Sequence, residues 1–383
     1  MTGLDGRRVY LDWNATAPLR PEARAAMLEA MDTLGNPSSV HSEGRAAKAI
    51  VERSRAQVAA LVNRDASEVV FTSGATEGAN LAFPPGALRL ATTDVEHDAV
   101  LGAVERARDR MTFFVIADAY EWGEIDYTAL SLIGRGHLED GQRVIVATAA
   151  NSETGIELVA DYVAQAMHKA DATWVCDATQ LVGKRALGIV STSASVVFGS
   201  GHKIGGPTGI GFLAAVPSAL ITPQPGGGQE QGRRSGTENV VGIAGFGAAA
   251  VAAKRDLEAG VWDRVEKLRN ILEEGLEAAA PDLIIFGSEA SRLPNTSCFA
   301  VPGWKGETQV MQLDLAGFAV SAGSACSSGK VKESRVLRAM GFDSLTASSA
   351  IRVSLGPTTT EAEIRAFLAA WTELYRKRAR RAA

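Results

Sequence analysis

The sequence predicts an α/β protein, a mostly parallel sheet enclosed by helices and followed by a smaller α+β part. Three observations predict it. Short apolar runs rich in β-branched residues alternate with stretches whose apolar residues recur every three to four positions, as when strands are covered on both faces by crossover helices. Near residue 250 the texture changes to charged helical stretches and sparser strands. And 383 residues with 46% hydrophobic content exceed what one ordinary core organises. The implied division is a large domain over 14–250 and a small domain made of 1–13 with 251–383.

The elements follow in order. Residues 21–34 and 43–62 read as amphipathic helices. Val69 to Thr72 reads as a strand, and Gly74 to Leu81 as a turn opening a helix. Strands are predicted at 88–92, 112–117, 143–149, 172–176, 194–199 and 209–215, seven with the first, with helices such as 97–109 and 160–170 between them. Val240 to Ala253 is apolar and rich in Gly and Ala; it is too short to cross a bilayer and reads as a buried helix. A long charged helix is then predicted over 249–279. Strands follow at 283–286, 296–301, 317–321 and 350–355, and helices at 306–315, 333–340 and 360–378.

Composition narrows the function. A net charge of −5 implies no large basic surface, so nucleic acid is not an expected partner. The one basic run, Arg376 to Arg381, reads as a solvated helix end. Met1 to Asn14 holds no apolar run of signal-peptide length, so a cytoplasmic protein without a membrane partner is expected. The three cysteines are odd in number, far apart and without CxxC spacing, which argues against disulfides and a structural zinc; no metal is expected. Cys176 and Cys298 lie in strand-like runs and read as core. Cys326 lies among Ser, Ala and Gly, which suits no core strand.

Six stretches carry chemistry, each with a structural rival. Ser200 to Gly211 sets Lys203 in a glycine-rich loop, in a chain with 10 lysines and 29 arginines; lysine forms Schiff bases, and a solvated turn is the rival. Asp177 ends an apolar strand, where an acid can pair with a pyridinium nitrogen or cap a helix. Phe71 to Asn80 is a strand, a glycine turn and a helix start, suited to an anion or to capping alone. His97 follows a strand and can stack on a planar group or shuttle protons, although a lone histidine is more often a capped residue. Gly226 to Asn239 combines glycines, arginines and hydroxyls that suit an anion or a flexible loop. Arg352 is centred in an apolar strand, so a carboxylate should meet it, from a substrate or from an internal salt bridge.

Together these stretches resemble the cysteine desulfurases, a branch of the class V aminotransferase group of type I pyridoxal-phosphate enzymes. The resemblance runs from Val9 to Arg365 through GNPSSVH (35–41), FTSGATE (71–77), EHDAV (96–100), DATQ (177–180), SGHK (200–203), the GGGQE and RSGT motifs within 226–237, SAGSACSS (321–328) and IRVSLG (351–356). It implies a type I transferase fold with pyridoxal 5'-phosphate held by Lys203 as a Schiff base. Asp177 would face the ring nitrogen and Gln180 the ring hydroxyl. Ala75, Thr76, Ser200 and His202 would hold the phosphate, joined by Thr237 from the second subunit of a homodimer. His97 would stack on the ring and act as acid and base, Arg352 would take the carboxylate of L-cysteine, and Cys326 would accept sulfur as a persulfide. A sulfur-acceptor or scaffold protein, serving iron–sulfur assembly or thiolation, is the implied partner. The context of Cys326 resembles the subgroup with the longer catalytic loop.

Four departures stand out. Ser152 replaces the second Asn of the usual Asn-Asn-Glu-x-Gly loop, which in relatives contacts cofactor and substrate; serine reaches less far and predicts lower activity or shifted preference. The segment after Leu81 is shortened through Phe83 to Gly86. Gln229 stands where some relatives have His. The chain stops soon after its last predicted helix, without the tail some relatives use to dock a scaffold. Two alternatives accompany the desulfurase reading: a selenocysteine lyase or another pyridoxal-phosphate lyase or aminotransferase, and a degenerate non-catalytic subunit of a sulfur-transfer complex.

Overall fold

The computed structural model of the protein describes residues 3–4, 6–120, 123, 125–135, 141–219, 221–322 and 333–382. Its centre is a seven-stranded sheet: β1 (Val69–Thr72), β2 (Leu88–Thr93), β3 (Met111–Ala117), β4 (Gln142–Val146), β5 (Thr173–Asp177), β6 (Val196–Ser200) and β7 (Gly211–Ala215), in the order β1-β7-β6-β5-β4-β2-β3. Neighbours are parallel except around β7, which runs antiparallel to both β1 and β6. Strands β1, β2, β4, β5 and β6 therefore end at the same edge.

The alternation of side chains along each strand builds two cores. Ile145, Trp174, Cys176, Val197 and Phe212 face helices α2 (Ser42–Val62), α5 (Ala160–Ala170) and α6 (Val240–Glu258). Their neighbours Val144, Val175, Phe198 and Leu213 face α3 (Ala75–Leu81) and α4 (Asp98–Arg106). Burial on both faces explains why these strands read as continuous apolar runs.

A smaller four-stranded antiparallel sheet consists of β8 (Ile284–Ile285), β9 (Thr296–Ala300), β10 (Ser321–Ala322) and β11 (Ala350–Ser354), in the order β10-β11-β9-β8. Helices α7 (Val261–Ala279) and α9 (Glu361–Ala382) close its core through Leu268, Leu272, Leu276, Phe367 and Trp371, and Val9 and Leu11 join it. Between them, α8 (Arg335–Ala339) packs against the same sheet from the other side through Val336 and Leu337, with Cys298.

Two elements differ from the sequence expectation. The single helix expected over 249–279 is two, α6 and α7, because Gly260 takes φ +66, a left-handed conformation that breaks the ladder. The strand expected at 317–321 is two short ones: Phe318–Ala319 pairs in parallel with Val9–Tyr10, and β10 pairs with β11. Cys176 and Cys298 are buried in β5 and β9, as core residues. Among the described residues no helix is long and apolar enough to cross a membrane.

Candidate active site

The shared edge of the parallel strands opens into a cavity of about 700 Å³, within the range of cofactor sites. The ends of several strands supply its wall: Ser73 to Thr76 after β1, His97 after β2, Thr148 to Ser152 after β4, Asp177 to Gln180 at β5, and Ser200 to Lys203 at β6. Such convergence beyond the carboxyl ends is where ligands bind in open parallel sheets. Gly211 permits it, since a Cβ there would stand 2.6 Å from both the Gly199 carbonyl and the Gly74 Cα. Arg352 reaches the cavity from β11, and Asn14 to Thr16 close its floor.

Lys203 and the N-terminal segment hold one another. The Lys203 amine donates to the carbonyls of Asn14 at 2.6 Å and Ala15 at 2.9 Å. The Ala17 amide donates to the His202 carbonyl, and the Arg20 amide to the Gly205 carbonyl; Gly205 has no Cβ, and one there would stand 2.6 Å from the Arg20 Cγ. Asn14 is the hub of this floor. Its carbonyl also accepts from Gln180, and its side-chain oxygen accepts from Lys184 at 2.9 Å and Asn295 at 3.0 Å. Lys184 donates in addition to Gln180 Oε1 at 2.7 Å. Both ends of the Gln180 amide are thus engaged within the protein. Burial, and then the nearby charges of Lys203 and Arg352, pull the Lys184 amine well below the usual lysine range.

Asp177 is buried, and its Oδ1 accepts from the Thr179 amide at 2.9 Å. Turns rather than a helix follow it, so the bond closes a turn and caps no helix, and Asp177 lies in the cavity wall. Burial pushes its carboxyl up, while that hydrogen bond and the charges of His97 and Lys203 oppose the shift. His97 caps α4, its Nδ1 accepting from the Ala99 amide at 3.0 Å; in the neutral ring the proton therefore sits on Nε2. His202 Nδ1 lies 3.1 Å from the Thr16 hydroxyl, and burial, then Lys203, holds its ring down at about 4, uncharged near neutrality.

Arg352 has the internal salt bridge that the sequence offered as the rival, and it also faces the cavity. It is buried in β11, forms an ion pair with Asp12 at 2.9 Å, donates to the Ser152 carbonyl at 2.7 Å, and lines the cavity. The arginines of the 226–239 stretch, by contrast, do not offer themselves to an anion. Arg234 pairs with Glu77 at 3.0 Å and Arg233 reaches the Ser67 and Glu68 carbonyls, while Glu230 turns inward onto Arg55 and the Phe71 amide. Thr237 is exposed and does not line the cavity of its own chain. Cys326 lies outside the described residues. The described residues on either side of its segment are tied to residues just behind the cavity lining: Ser321 donates to Asp12, the partner of Arg352, at 2.8 Å, and Ser334 to Glu153, beside Ser152, at 2.5 Å.

Sequence reasoning missed Asn14, Thr16, Thr148, Lys184 and Glu96. Glu96 is buried next to His97 and accepts from Thr93, the Thr148 amide and the Thr148 hydroxyl. Burial holds its carboxyl up at about 7. The folded chain thus keeps a proton that the unfolded chain releases from about pH 4.5, so this group's stabilising contribution is complete at low pH and is lost as pH rises through 7. Glu96→Gln, which fixes the neutral shape, is expected to gain stability relative to the parent between pH 5 and 8, by up to about 3 kcal/mol. Urea midpoints of parent and variant at the two pH values measure it; an advantage of the variant that instead grows on acidification would assign the charged form to the fold.

The fold and this cavity define an α/β enzyme of the aminotransferase kind, with a lysine and an acid facing one site at the sheet edge. The chain belongs to the class V aminotransferase family, whose model matches residues 9–367. Among its relatives, a cysteine desulfurase of Cereibacter sphaeroides is 39% identical over 93% of each chain. A cysteine desulfurase of Trichormus azollae is 37% identical over 93% of this chain and 90% of its own. The X-ray structure of a NifS-like protein from Rickettsia africae superposes with a TM-score of 0.87 at 31% identity, covering 96% of this chain and 99% of that one.

Proposed function

We propose that the protein is a pyridoxal-phosphate-dependent cysteine desulfurase, converting L-cysteine to L-alanine and passing the sulfur to an acceptor through Cys326. The observation that carries this reading is the meeting, in one cavity, of a lysine amine, a buried acid and a buried arginine. The donor set fits the cofactor. Asp177 is a buried carboxylate with no salt bridge among the described residues, and a protonated ring nitrogen would supply the missing cation. The first-turn amides at Ala75 and Thr76, with Ser200 and the uncharged His202, are donors suited to a phosphate. Thr237 would join them from a second copy of the chain.

Bound pyridoxal phosphate supplies an electron-withdrawing ring that makes the substrate's α-proton removable. The chain supplies the rest. Lys203 would hold the cofactor covalently and is placed to take up the α-proton. Asp177 would pair with the ring nitrogen and keep it protonated. His97 Nε2 would serve as a further acid and base. Arg352 fixes the substrate carboxylate, and Ser152 contributes a hydroxyl where relatives have a longer amide. The Cys326 thiolate attacks the substrate sulfur: the Cβ–S bond breaks, an S–S bond forms, and Cβ takes a proton, leaving alanine and a Cys326 persulfide.

Purified protein loaded with cofactor should release alanine and sulfide in equal amounts from L-cysteine in the presence of a thiol reductant. Conversion of L-cysteine to its keto acid, with neither alanine nor sulfide formed, would point to transamination chemistry, and absence of any product would favour the non-catalytic subunit.

A further inference from the structure

Arg352 enters the site already neutralised. Arg352 is 4% exposed. One terminal nitrogen donates to Asp12 Oδ1 at 2.9 Å, the other to the Ser152 carbonyl at 2.7 Å, and the buried Nε has no acceptor. Asp12 does not line the cavity, so it holds the guanidinium from behind. Its second oxygen is taken by the Ser321 hydroxyl at 2.8 Å, on the strand directly opposite Arg352 in the β10–β11 ladder.

We propose that Asp12 is a positioning residue that sets how tightly Arg352 holds a substrate carboxylate, acting as a resident anion with which the incoming carboxylate must share the guanidinium. This rests on the reading of Arg352 as the carboxylate site. The unused second hydrogens of the terminal nitrogens are what an amino acid can engage. Asp12 contributes orientation and subtracts charge. The carboxylate is common to L-cysteine and L-alanine, so binding energy spent on it is uniform and slows product release as much as it aids substrate capture. A half-neutralised arginine keeps the aim of the guanidinium without that cost. Ser321 extends the arrangement to the strand that leads into the Cys326 segment, since its hydroxyl shares the Asp12 carboxylate with Arg352.

The test is calorimetric titration of L-alanine, which carries the carboxylate but no sulfur, into the cofactor-loaded protein. Asp12→Asn keeps an acceptor for Arg352 and removes the charge; it is expected to bind L-alanine about five- to tenfold more tightly. Ser321→Ala leaves the Asp12 carboxylate more fully on Arg352 and is expected to weaken binding about twofold. Arg352→Gln should weaken binding strongly, and in that background Asp12→Asn should give no gain. Weaker or unchanged binding in Asp12→Asn, as a purely structural role requires, overturns the inference. So does a gain that persists without Arg352, which would make the effect a general one of net charge. Binding that survives Arg352→Gln undiminished sinks the reading of Arg352 itself, a result separable from the other two. If Asp12→Asn does not fold, the opposite-signed Ser321→Ala shift decides.

Discussion

Lys203→Ala is expected to abolish turnover, by a factor on the order of 10⁴ or more, while leaving the fold intact. The size follows from what the amine does: it is proposed both to anchor the cofactor and to take up the substrate's α-proton, and no neighbour can do either. Lys184 is the nearest rival amine, and its geometry disqualifies it. It is buried beneath Asn14 and Gln180, does not line the cavity, and spends its donors on those two side-chain oxygens. Borohydride reduction of the loaded enzyme followed by peptide mapping should therefore place the cofactor on Lys203 in the parent and on no peptide in Lys203→Ala. Lys184→Met should keep the label. Label transferred to the Lys184 peptide would show that the two amines are interchangeable and that Lys203 is not uniquely placed.

The fold was legible where burial imposes one period. The central strands, the edge strand β3 apart, are buried on both faces and bounded by polar turns, so their number and places follow from the chain itself. Boundaries failed where a single backbone angle decides: Gly260 lies inside an otherwise helical pattern, and only its left-handed φ separates α6 from α7. The short strands at 318–319 and 321–322 failed for another reason. Each exists because a distant segment, Val9–Tyr10 or β11, offers a ladder, and pairing of that kind leaves no local periodicity.

The site divides the same way. Lys203, Asp177, His97 and Arg352 announce themselves because each is costly or unusual in its local context, such as an arginine centred in an apolar strand. Asn14 does not, although it binds two lysines, Gln180 and Asn295, because half of its role is played by a backbone carbonyl that any residue possesses. Lys184 was hidden by its partners: a buried lysine normally signals a carboxylate, and here the acceptors are amide oxygens contributed from the sequence 170 positions away and from one turn back. The arginines at 233 and 234 misled in the opposite direction. A glycine-rich basic loop looks like an anion site until its charges are seen to be consumed by Glu77 and backbone carbonyls.

Cys326→Ala is expected to reduce alanine formation from L-cysteine to background, a loss on the order of 10³ or more, with cofactor binding and its absorbance unchanged. The separation of the two readouts is the point. Cofactor binding is proposed to depend on Lys203, Asp177 and the donors around Ala75 and Ser200, all supplied by the strand edge of the large sheet. Sulfur abstraction is proposed to depend on the thiol of Cys326, in the sequence between β10 and α8. The two flanks of that segment are tied to residues beside the cavity lining, Ser321 through Asp12 to Arg352 and Ser334 through Glu153 to the Ser152 turn. The other two cysteines cannot substitute, because both are buried in strands and burial pushes their thiols far above the range where a thiolate forms near neutrality. A reactive thiol that disappears with Cys326→Ala, and a persulfide trapped by alkylation on the Cys326 peptide after exposure of the parent to L-cysteine, are the expected companions. Undiminished alanine release from Cys326→Ala would mean that sulfur leaves without a protein nucleophile, as selenium can from selenocysteine, and the alternative lyase reading would take the place of the desulfurase.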